Sequence, residues 1–243
     1  MRRSAFSLTG RHVLVTGGAA GIGAETARVC ASLGAEVVIV DRDPADAVVD
    51  GIREEGGTAR ALTADIGDRA AVEQVAAAVG AVDALVLNAA ICPFDDWMEP
   101  DWDETFAAVM AVNVLGPIHA ARAFMPGMLA RGSGRIVLVG SVAGRIGGLI
   151  ASPHYVASKG GVHALVKWLA KRGAPGNVLV NGVAPASVET PLMAGRPVNL
   201  SGIPLGRMGA ASEIAWPIAF LCSDAASYIC GTVLDVNGGV YMG

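Results

Sequence analysis

Positive charge is scarce in this 243-residue sequence, and lysine is its scarcest source. The chain has three lysines, Lys159, Lys167 and Lys171, and its formal net charge is −4. This balance offers no basic surface for nucleic acid or for an anionic membrane. We therefore expect a small-molecule substrate, with neither nucleic acid nor membrane as a partner.

Cysteine pairs and long apolar runs are also missing. The four cysteines form no CxxC or CxxH pair, so free thiols in a reduced cytosol are favoured over a disulfide or a metal site. No apolar run reaches the roughly 18 residues that span a bilayer without a charge, glycine or proline. The opening MRRSAFSLTGRHVLV is too short and interrupted for a signal peptide. These absences predict a cytoplasmic protein with no bound metal.

What the sequence does contain is a repeated order of strand, turn and helix. Short apolar runs such as HVLVTGG and EVVIVDRD precede segments with helical spacing at about 44–55, 69–79, 101–130 and 154–172. This order predicts one large α/β domain over residues 1–243, with a parallel sheet buried on both faces. The proline- and glycine-bearing stretch at about 186–210 is typical of a substrate loop.

A glycine-rich turn, TGGAAGIG, follows the first predicted strand and opens a helix. It contains Gly17, Gly21, Ile22 and Gly23. Glycines let the backbone turn sharply and approach a pyrophosphate, whose charge the helix N-terminus stabilises. Many glycine turns are plain turns, but the position between strand and helix favours a dinucleotide site.

The end of the second predicted strand bears on cofactor choice. The Asp41 carboxylate can accept both ribose hydroxyls of an adenosine and would repel a 2′-phosphate. Arg42 beside it favours the opposite choice, because an arginine can bind that phosphate. Ala20 leaves the turn without a basic side chain, so we favour NAD over NADP as cofactor.

Tyr155 and Lys159 lie four residues apart in a predicted helix and therefore share one face. A free phenol titrates near about pH 10, and we expect the neighbouring ammonium to lower that pKa. Lysine is also compact enough to donate to a ribose hydroxyl, which a bulkier guanidinium would not do equally well. The pair indicates a proton-transferring phenol beside a small cation, although a surface pair would have the same spacing.

Two polar residues accompany this pair. Ser141 ends the predicted strand RIVLVGS, where its hydroxyl could hold a substrate oxygen or cap a turn. Asn113 interrupts an apolar helix, so it either bridges a helix kink through water or ties off a core contact.

Eight motifs, in this order, resemble the short-chain dehydrogenase/reductase family from about residue 8 to the C-terminus. They are TGGAAGIG, DI at Asp65, NAA at Asn88, VN at Asn113, GS at Ser141, YVASK from Tyr155, VNGVAP around Asn181 and the closing GTVLDVNGG. The resemblance implies a seven-stranded, doubly wound Rossmann-like sheet with helices on both faces, and a homotetramer. It also implies a catalytic tetrad of Asn113, Ser141, Tyr155 and Lys159.

The same resemblance implies a role for each site residue. Tyr155 would be the acid/base, Ser141 would orient the substrate oxygen, and Lys159 would hold the nicotinamide ribose. Asn113 would hold a water in the proton relay. The implied cofactor contacts are Asp65 at the adenine, Asn88 at the ribose, and Val188 and Thr190 at the nicotinamide carboxamide, with Ile66, Ala89 and Pro185 beside them.

Three departures from the family pattern leave the shape of the substrate pocket open. Alanine replaces an expected glycine at Ala90 and at Ala186, and the span from Ser141 to Tyr155 is one residue longer than usual. The candidate walls are Ile91, Pro93, Phe94, Arg145, Leu149, Ile150, His154, Leu192 and Met193. For His154 a structural role is favoured over a catalytic one.

The mostly apolar walls favour an NAD-dependent dehydrogenase or reductase that interconverts a hydrophobic secondary alcohol and its ketone. One alternative is an NADPH-dependent 3-oxoacyl thioester reductase, against which Asp41 and the acidic net charge count mildly. Another is a non-catalytic dinucleotide-binding sensor, in which the tetrad would be free to decay.

Overall fold

The computed structural model describes residues 4–148 and 151–243, and a parallel sheet lies at its centre. The strands of that sheet are β1 His12–Thr16, β2 Glu36–Asp41, β3 Thr58–Thr63, β4 Ala84–Leu87, β5 Gly134–Val139, β6 Val178–Pro185 and, last in sequence, β9 Val233–Val236. They lie in the order β3-β2-β1-β4-β5-β6-β9. Two short strands, β7 Val188–Glu189 and β8 Gly209–Ala210, pair with each other outside it. The predicted seven-stranded parallel sheet is confirmed.

Helices cover both faces of the sheet. They are α1 Gly21–Ser32, α2 Asp46–Glu54, α3 Arg69–Val79, α4 Trp102–Met110, α5 Gly116–Arg131, α6 Ala143–Ile146, α7 Pro153–Gly173 and α8 Ala211–Cys222. A π-helical turn, Ala111–Leu115, joins α4 to α5 without a break in the backbone. Single 3-10 turns lie at Ala174–Gly176, Pro191–Met193, Leu200–Gly202 and Asp224–Ala226.

Two apolar cores form because successive strand side chains point to opposite faces of the sheet. On β1, Val13 and Val15 pack with α1, α2 and α8, whereas Leu14 packs with α3, α5 and α7. The central strands are therefore mostly apolar on both faces rather than alternating, as expected for a sheet covered on both faces. This arrangement leaves the strand ends as the places where polar groups can gather.

The strand order reverses between β1 and β4, and this point determines where a ligand can bind. β1 pairs with β2 on one side and with β4 on the other, so the connections that follow β1 and β4 leave in opposite directions. A crevice opens at the carboxyl ends of strands at such a point. The glycine-rich turn follows β1 directly, and Asn88 follows β4.

The continuous helical stretch Trp102–Arg131 is long and apolar enough to span a membrane by length and composition. In its most apolar window, 44% of the residues are buried inside the fold. From this stretch, Phe124 and Met128 pack in the same core as α3 and α7. A core helix of a folded protein can have this length and composition, and the packing of Phe124 and Met128 is typical of one.

All four cysteines are free thiols: Cys30, Cys92 and Cys222 are buried and Cys230 is exposed. Burial raises the pKa of the Cys30 and Cys222 thiols, which keeps both protonated at neutral pH. Within residues 4–148 and 151–243, no group of three or more His, Cys, Asp or Glu side chains could hold a metal ion.

Candidate active site

The glycine-rich turn after β1 is held tightly against the end of β4. The Asn88 side-chain amide donates to the backbone oxygens of Thr16 at 3.1 Å and Gly17 at 2.8 Å. Gly17 has a φ of +68°, and a Cβ there would lie 2.6 Å from the Ala89 Cα. A side chain at Gly23 would collide with the Gly17 carbonyl oxygen. Glycine is therefore required at both positions by the close approach of the backbone.

The N-terminus of α1 is open towards the crevice. No side chain caps this helix, and its first residues, Gly21 and Ile22, line the cavity described below. Uncapped N–H groups and the positive end of a 12-residue helix suit an anion such as a pyrophosphate. The glycine cradle and the uncapped helix thus fit the dinucleotide that the sequence predicts.

Asp41 lies at the end of β2 beside this turn. One carboxylate oxygen accepts from the Ala19 N–H at 2.9 Å and the other accepts from the Asp43 N–H at 3.1 Å. Each carboxylate oxygen has a second lone pair, so the group can still accept from a ribose. Arg42 is largely exposed, and its Nε lies 3.7 Å from an Asp43 carboxylate oxygen.

Tyr155 and Lys159 share the cavity-facing side of α7. The Lys159 Nζ is buried, donates to the Val139 carbonyl oxygen at 2.8 Å, and lies 5.5 Å from the Tyr155 ring centroid. Burial lowers the pKa of Lys159 to about 8. The ammonium is therefore anchored to the end of β5 and is not bonded to the phenol oxygen.

The expected lowering of the Tyr155 pKa is wrong for the protein alone. Burial raises the pKa of the phenol above its usual value, the Cys92 thiol adds to the rise, and a hydrogen bond with Ser141 opposes it. Desolvation is the largest cause, and the Lys159 ammonium bonds to the Val139 carbonyl oxygen rather than to the phenol. Tyr155 is consequently protonated at neutral pH and available as a proton donor.

Ser141 lies two residues after the end of β5 and is held on two sides. Its Oγ accepts from the Ala143 N–H at 3.1 Å, and its own N–H donates to His163 Nε2 at 3.4 Å. Burial lowers the pKa of His163 to about 4, so the ring is neutral and Nε2 can accept. A Cβ on Gly140 would overlap this imidazole, so the ring packs directly beneath the strand end.

Asn113 occupies the π-helical turn and is almost completely buried. Its Oδ1 accepts from the Ile91 N–H at 2.9 Å, and its Nδ2 donates to the Ile91 carbonyl oxygen at 3.0 Å and to Ser158 Oγ at 3.0 Å. Of the two alternatives, the side chain therefore ties off a core contact. It connects the segment after β4 to α7 at Ser158, three residues past Tyr155.

A cavity of about 560 Å³ joins these groups. All but two of the predicted site residues line it, and the two exceptions, Gly23 and Asn113, are buried behind it. The predicted residues that line the cavity are Gly17, Gly21, Ile22, Asp41, Arg42, Asp65, Ile66, Asn88, Ala89, Ser141, Tyr155, Lys159, Pro185, Val188 and Thr190. The structure thus places the nucleotide motifs and the Tyr155 cluster on one continuous surface.

The predicted substrate walls are placed less completely. Ile91, Phe94, Leu192 and Met193 line the cavity, whereas Pro93, Arg145 and His154 do not. Two further wall candidates, Leu149 and Ile150, lie outside the described residues.

Arg145 and His154 fail as walls because each is engaged elsewhere. Arg145 donates to the Val233 carbonyl oxygen at 2.9 Å and approaches Asp235 at 3.3 Å. His154 is fully buried, lies 2.9 Å from the Asp95 carboxylate and stacks on Trp102, in agreement with a structural role.

Two residues near the reaction centre were not predicted from the sequence. His163 supports Ser141 from below, and its position four residues after Lys159 could have placed it on the same face of α7. Cys92 lines the cavity and influences the ionisation of Tyr155 and Lys159. Nothing in the local sequence of Cys92 indicates that contact.

The fold and this cavity define an α/β protein built around a dinucleotide-type site at the switch point of its sheet. The family model for short chain dehydrogenases matches residues 11–199. The chain belongs to the short-chain dehydrogenase/reductase family and is an enzyme of this oxidoreductase family.

Similar proteins carry several different specificities. Galactitol 2-dehydrogenase (L-tagatose-forming) of Cereibacter sphaeroides is 42% identical over 98% of this chain and 97% of its own. The 3-oxoacyl-acyl-carrier-protein reductase of Escherichia coli is 36% identical, with coverage of 98% and 100%. A crystal structure provisionally assigned as an NAD(P)-dependent gluconate 5-dehydrogenase of Beutenbergia cavernae, with bound NADP, has a TM-score of 0.92 and 37% identity, covering 98% of this chain and 99% of that one.

Proposed function

We propose that the protein is an NAD-dependent oxidoreductase that interconverts a hydrophobic secondary alcohol and its ketone. The observation that carries this proposal is the grouping of Ser141, Tyr155 and Lys159 in one cavity with the glycine-rich turn. A proton donor, an oxygen-holding hydroxyl and a dinucleotide cradle are the parts that such a reaction needs.

The residues that would hold the dinucleotide all line one continuous cavity. The turn at Gly17 and Gly21 and the N-terminus of α1 would hold the pyrophosphate, and Asp41 the adenosine ribose. Lys159 would hold the nicotinamide ribose. The contacts at the two ends are Asp65 and Ile66 for the adenine, and Pro185, Val188 and Thr190 for the carboxamide. When bound, the reduced dinucleotide supplies the hydride.

The chain's own residues supply the proton. In ketone reduction, Tyr155 donates its phenolic proton to the carbonyl oxygen, which Ser141 holds by a second hydrogen bond. The raised pKa of Tyr155 keeps that proton available at neutral pH. In alcohol oxidation the same phenol must first lose its proton.

Two features support NAD over NADP. The Asp41 carboxylate ends β2 beside the glycine-rich turn, where it would repel the 2′-phosphate of a bound NADP. The adjacent Arg42, which could bind such a phosphate, already lies near Asp43. The NADP in the Beutenbergia cavernae structure belongs to that protein, and a titration of this chain with NADH and NADPH tests the preference proposed here.

The substrate walls support an apolar alcohol or ketone. Ile91, Phe94, Leu192 and Met193 line the same cavity as Tyr155. The galactitol dehydrogenase relative makes a polyol a second candidate. The reductase relative from Escherichia coli makes a 3-oxoacyl thioester a third candidate substrate. The negative net charge counts against the thioester, because an acidic carrier protein needs a basic docking surface.

We further propose a cytoplasmic homotetramer. β9 is an edge strand of the sheet, and the chain after it is apolar, with Met242 exposed. An uncovered edge of this kind favours pairing with another copy. Light scattering at micromolar protein concentration tests the assembly, and a monomer would contradict it.

The experiment for the function is a panel read at the nicotinamide absorbance. The panel pairs cyclohexanone and 4-oxocyclohexanecarboxylate with NADH and NADPH, and cyclohexanol and galactitol with NAD and NADP. A 3-oxoacyl thioester completes it. We expect turnover of a cyclic ketone with NADH and its loss in Tyr155→Phe. Absence of turnover with every pair would contradict the proposed oxidoreductase.

A further inference from the structure

Arg196 lies beside the cavity, in an exposed part of the chain that follows β7. Its guanidinium carbon is 4.0 Å from the centroid of the Phe94 ring, and Phe94 lines the cavity. The residues that follow it, Pro197 and Val198, also line the cavity. Arg196 takes part in none of the ion pairs found within residues 4–148 and 151–243.

The ring beneath Arg196 is held in place from both sides along the chain. On one side, Asn113 bonds both the N–H and the carbonyl oxygen of Ile91. On the other side, His154 bonds the Asp95 carboxylate at 2.9 Å and Ser152 donates to the Asp95 carbonyl oxygen at 3.0 Å. The backbone on either side of Phe94 is therefore held in place, and the ring offers a face on which a cation can stack.

Arg196 is also within electrostatic reach of the reaction centre. Burial raises the pKa of the Cys92 thiol to about 11, the charges of Lys159 and Arg196 oppose this rise, and the charge of Asp95 adds to it. Arg196 is exposed and does not itself line the cavity, whereas Phe94 beneath it and Pro197 beside it line the same cavity as Tyr155. A molecule that reaches from Tyr155 to the wall at Phe94 would come close to Arg196.

The acidic groups on the same segment do not neutralise Arg196. Asp95 is bonded to His154 and Asp96 accepts from the Met98 N–H at 3.0 Å. A guanidinium over an aromatic ring makes its contact through its flat face, and its N–H groups, which lie in the plane, stay free. Such a group binds a carboxylate with two parallel hydrogen bonds.

We propose that Arg196 is a substrate-recognition residue for a carboxylate. The substrate is then a keto acid or hydroxy acid with an apolar middle, held with its carbonyl or carbinol at Ser141 and Tyr155 and its carboxylate at Arg196. This inference rests on the proposed function and names the substrate class of the same cavity. It requires no change in the proton transfer at Tyr155.

The test compares an anionic ketone with a neutral ketone of the same shape. 4-Oxocyclohexanecarboxylate and its methyl ester are reduced with NADH by the wild-type protein, by Arg196→Gln and by Arg196→Lys. Arg53→Gln, which removes an exposed arginine from α2, is the matched control. We expect kcat/KM of the wild type to favour the acid by about 10- to 100-fold, the range of a charge-assisted hydrogen bond.

Arg196→Gln should remove this preference and leave kcat/KM of the ester within about twofold, as expected when only the carboxylate contact is lost. Arg196→Lys should restore part of the preference, and Arg53→Gln should keep all of it. Equal loss for acid and ester in Arg196→Gln would overturn the proposal, because a residue that merely closes the loop over Phe94 acts on both. A wild-type protein without preference for the acid would also overturn it.

A binding measurement separates this inference from the proposed function. Cyclohexanecarboxylate is titrated into the NAD-saturated protein by calorimetry, with cyclohexanecarboxamide as the neutral probe. Binding of the acid that Arg196→Gln abolishes supports the inference even where no ketone is reduced, which would contradict only the proposed function. Acid binding that Arg196→Gln leaves unchanged, or no acid binding, refutes the inference alone.

Discussion

His163 gives a prediction whose size follows directly from its burial beneath Ser141. The pKa of the folded imidazole is lowered to about 4, against about 6.5 in the unfolded chain. Because the folded value is the lower one, the unfolded chain binds the extra proton between these pH values. The free energy of unfolding therefore falls as the pH drops through this window. From pH 7 to pH 4.5 one such group costs about 2.5 kcal/mol.

The perturbation is His163→Gln, which keeps an acceptor for the Ser141 N–H but does not titrate. The assay is urea unfolding, followed by tryptophan fluorescence at pH 7 and pH 4.5 and at one protein concentration. The wild type should lose about 2.5 kcal/mol more than the variant over this range. His12→Gln, a change at a half-exposed histidine on β1, is the control and should behave as the wild type. Parallel losses in the wild type and His163→Gln would refute the assigned burial and neutrality of His163.

Three further predictions concern other parts of the site. Asp41→Ser should reduce the preference for NADH over NADPH by about tenfold, or about 1.4 kcal/mol, because it removes a like charge beside the 2′-phosphate. Fluorescence titration of both cofactors measures the preference, and tighter NADPH binding by the wild type would contradict the role of Asp41. Lys159→Arg should weaken NADH binding and lower kcat, because a larger guanidinium cannot occupy the buried space 2.8 Å from the Val139 oxygen. An unchanged dissociation constant for NADH would count against a contact between Lys159 and the ribose. Asn113→Leu should lower the free energy of unfolding by about 2–3 kcal/mol in a urea titration, because the backbone N–H and carbonyl oxygen of Ile91 both lose their partner. A loss below about 0.5 kcal/mol would show that these hydrogen bonds contribute little.

Most of the fold could be predicted because its signals are local. The glycine turn, the mostly apolar strands and the helix spacing each have one dominant explanation. The helix predicted at 69–79 is observed at Arg69–Val79. The predicted site residues also meet in one cavity, because motifs that follow parallel strands gather at one edge of a sheet.

What the sequence could not predict depends on contacts between distant segments. The Tyr155 pKa is raised because burial in the folded chain disfavours the charged phenolate. The four-residue spacing in the sequence indicates only that a lysine charge is nearby. Arg145 was a candidate wall, yet it bonds to the end of β9, 88 residues further along the chain. The contact of Arg196 with Phe94 likewise joins two loops that no short motif connects.

The central claim is that Tyr155 transfers the proton, and Tyr155→Phe tests it most directly. The substitution removes the hydroxyl and keeps the ring, so the folded state should survive, as judged by thermal unfolding, and NADH binding should stay within about threefold. Ketone reduction with saturating NADH should fall by roughly two to four orders of magnitude, the usual span for a lost general acid. A variant that binds NADH and retains most of the wild-type kcat on a good substrate would contradict the account.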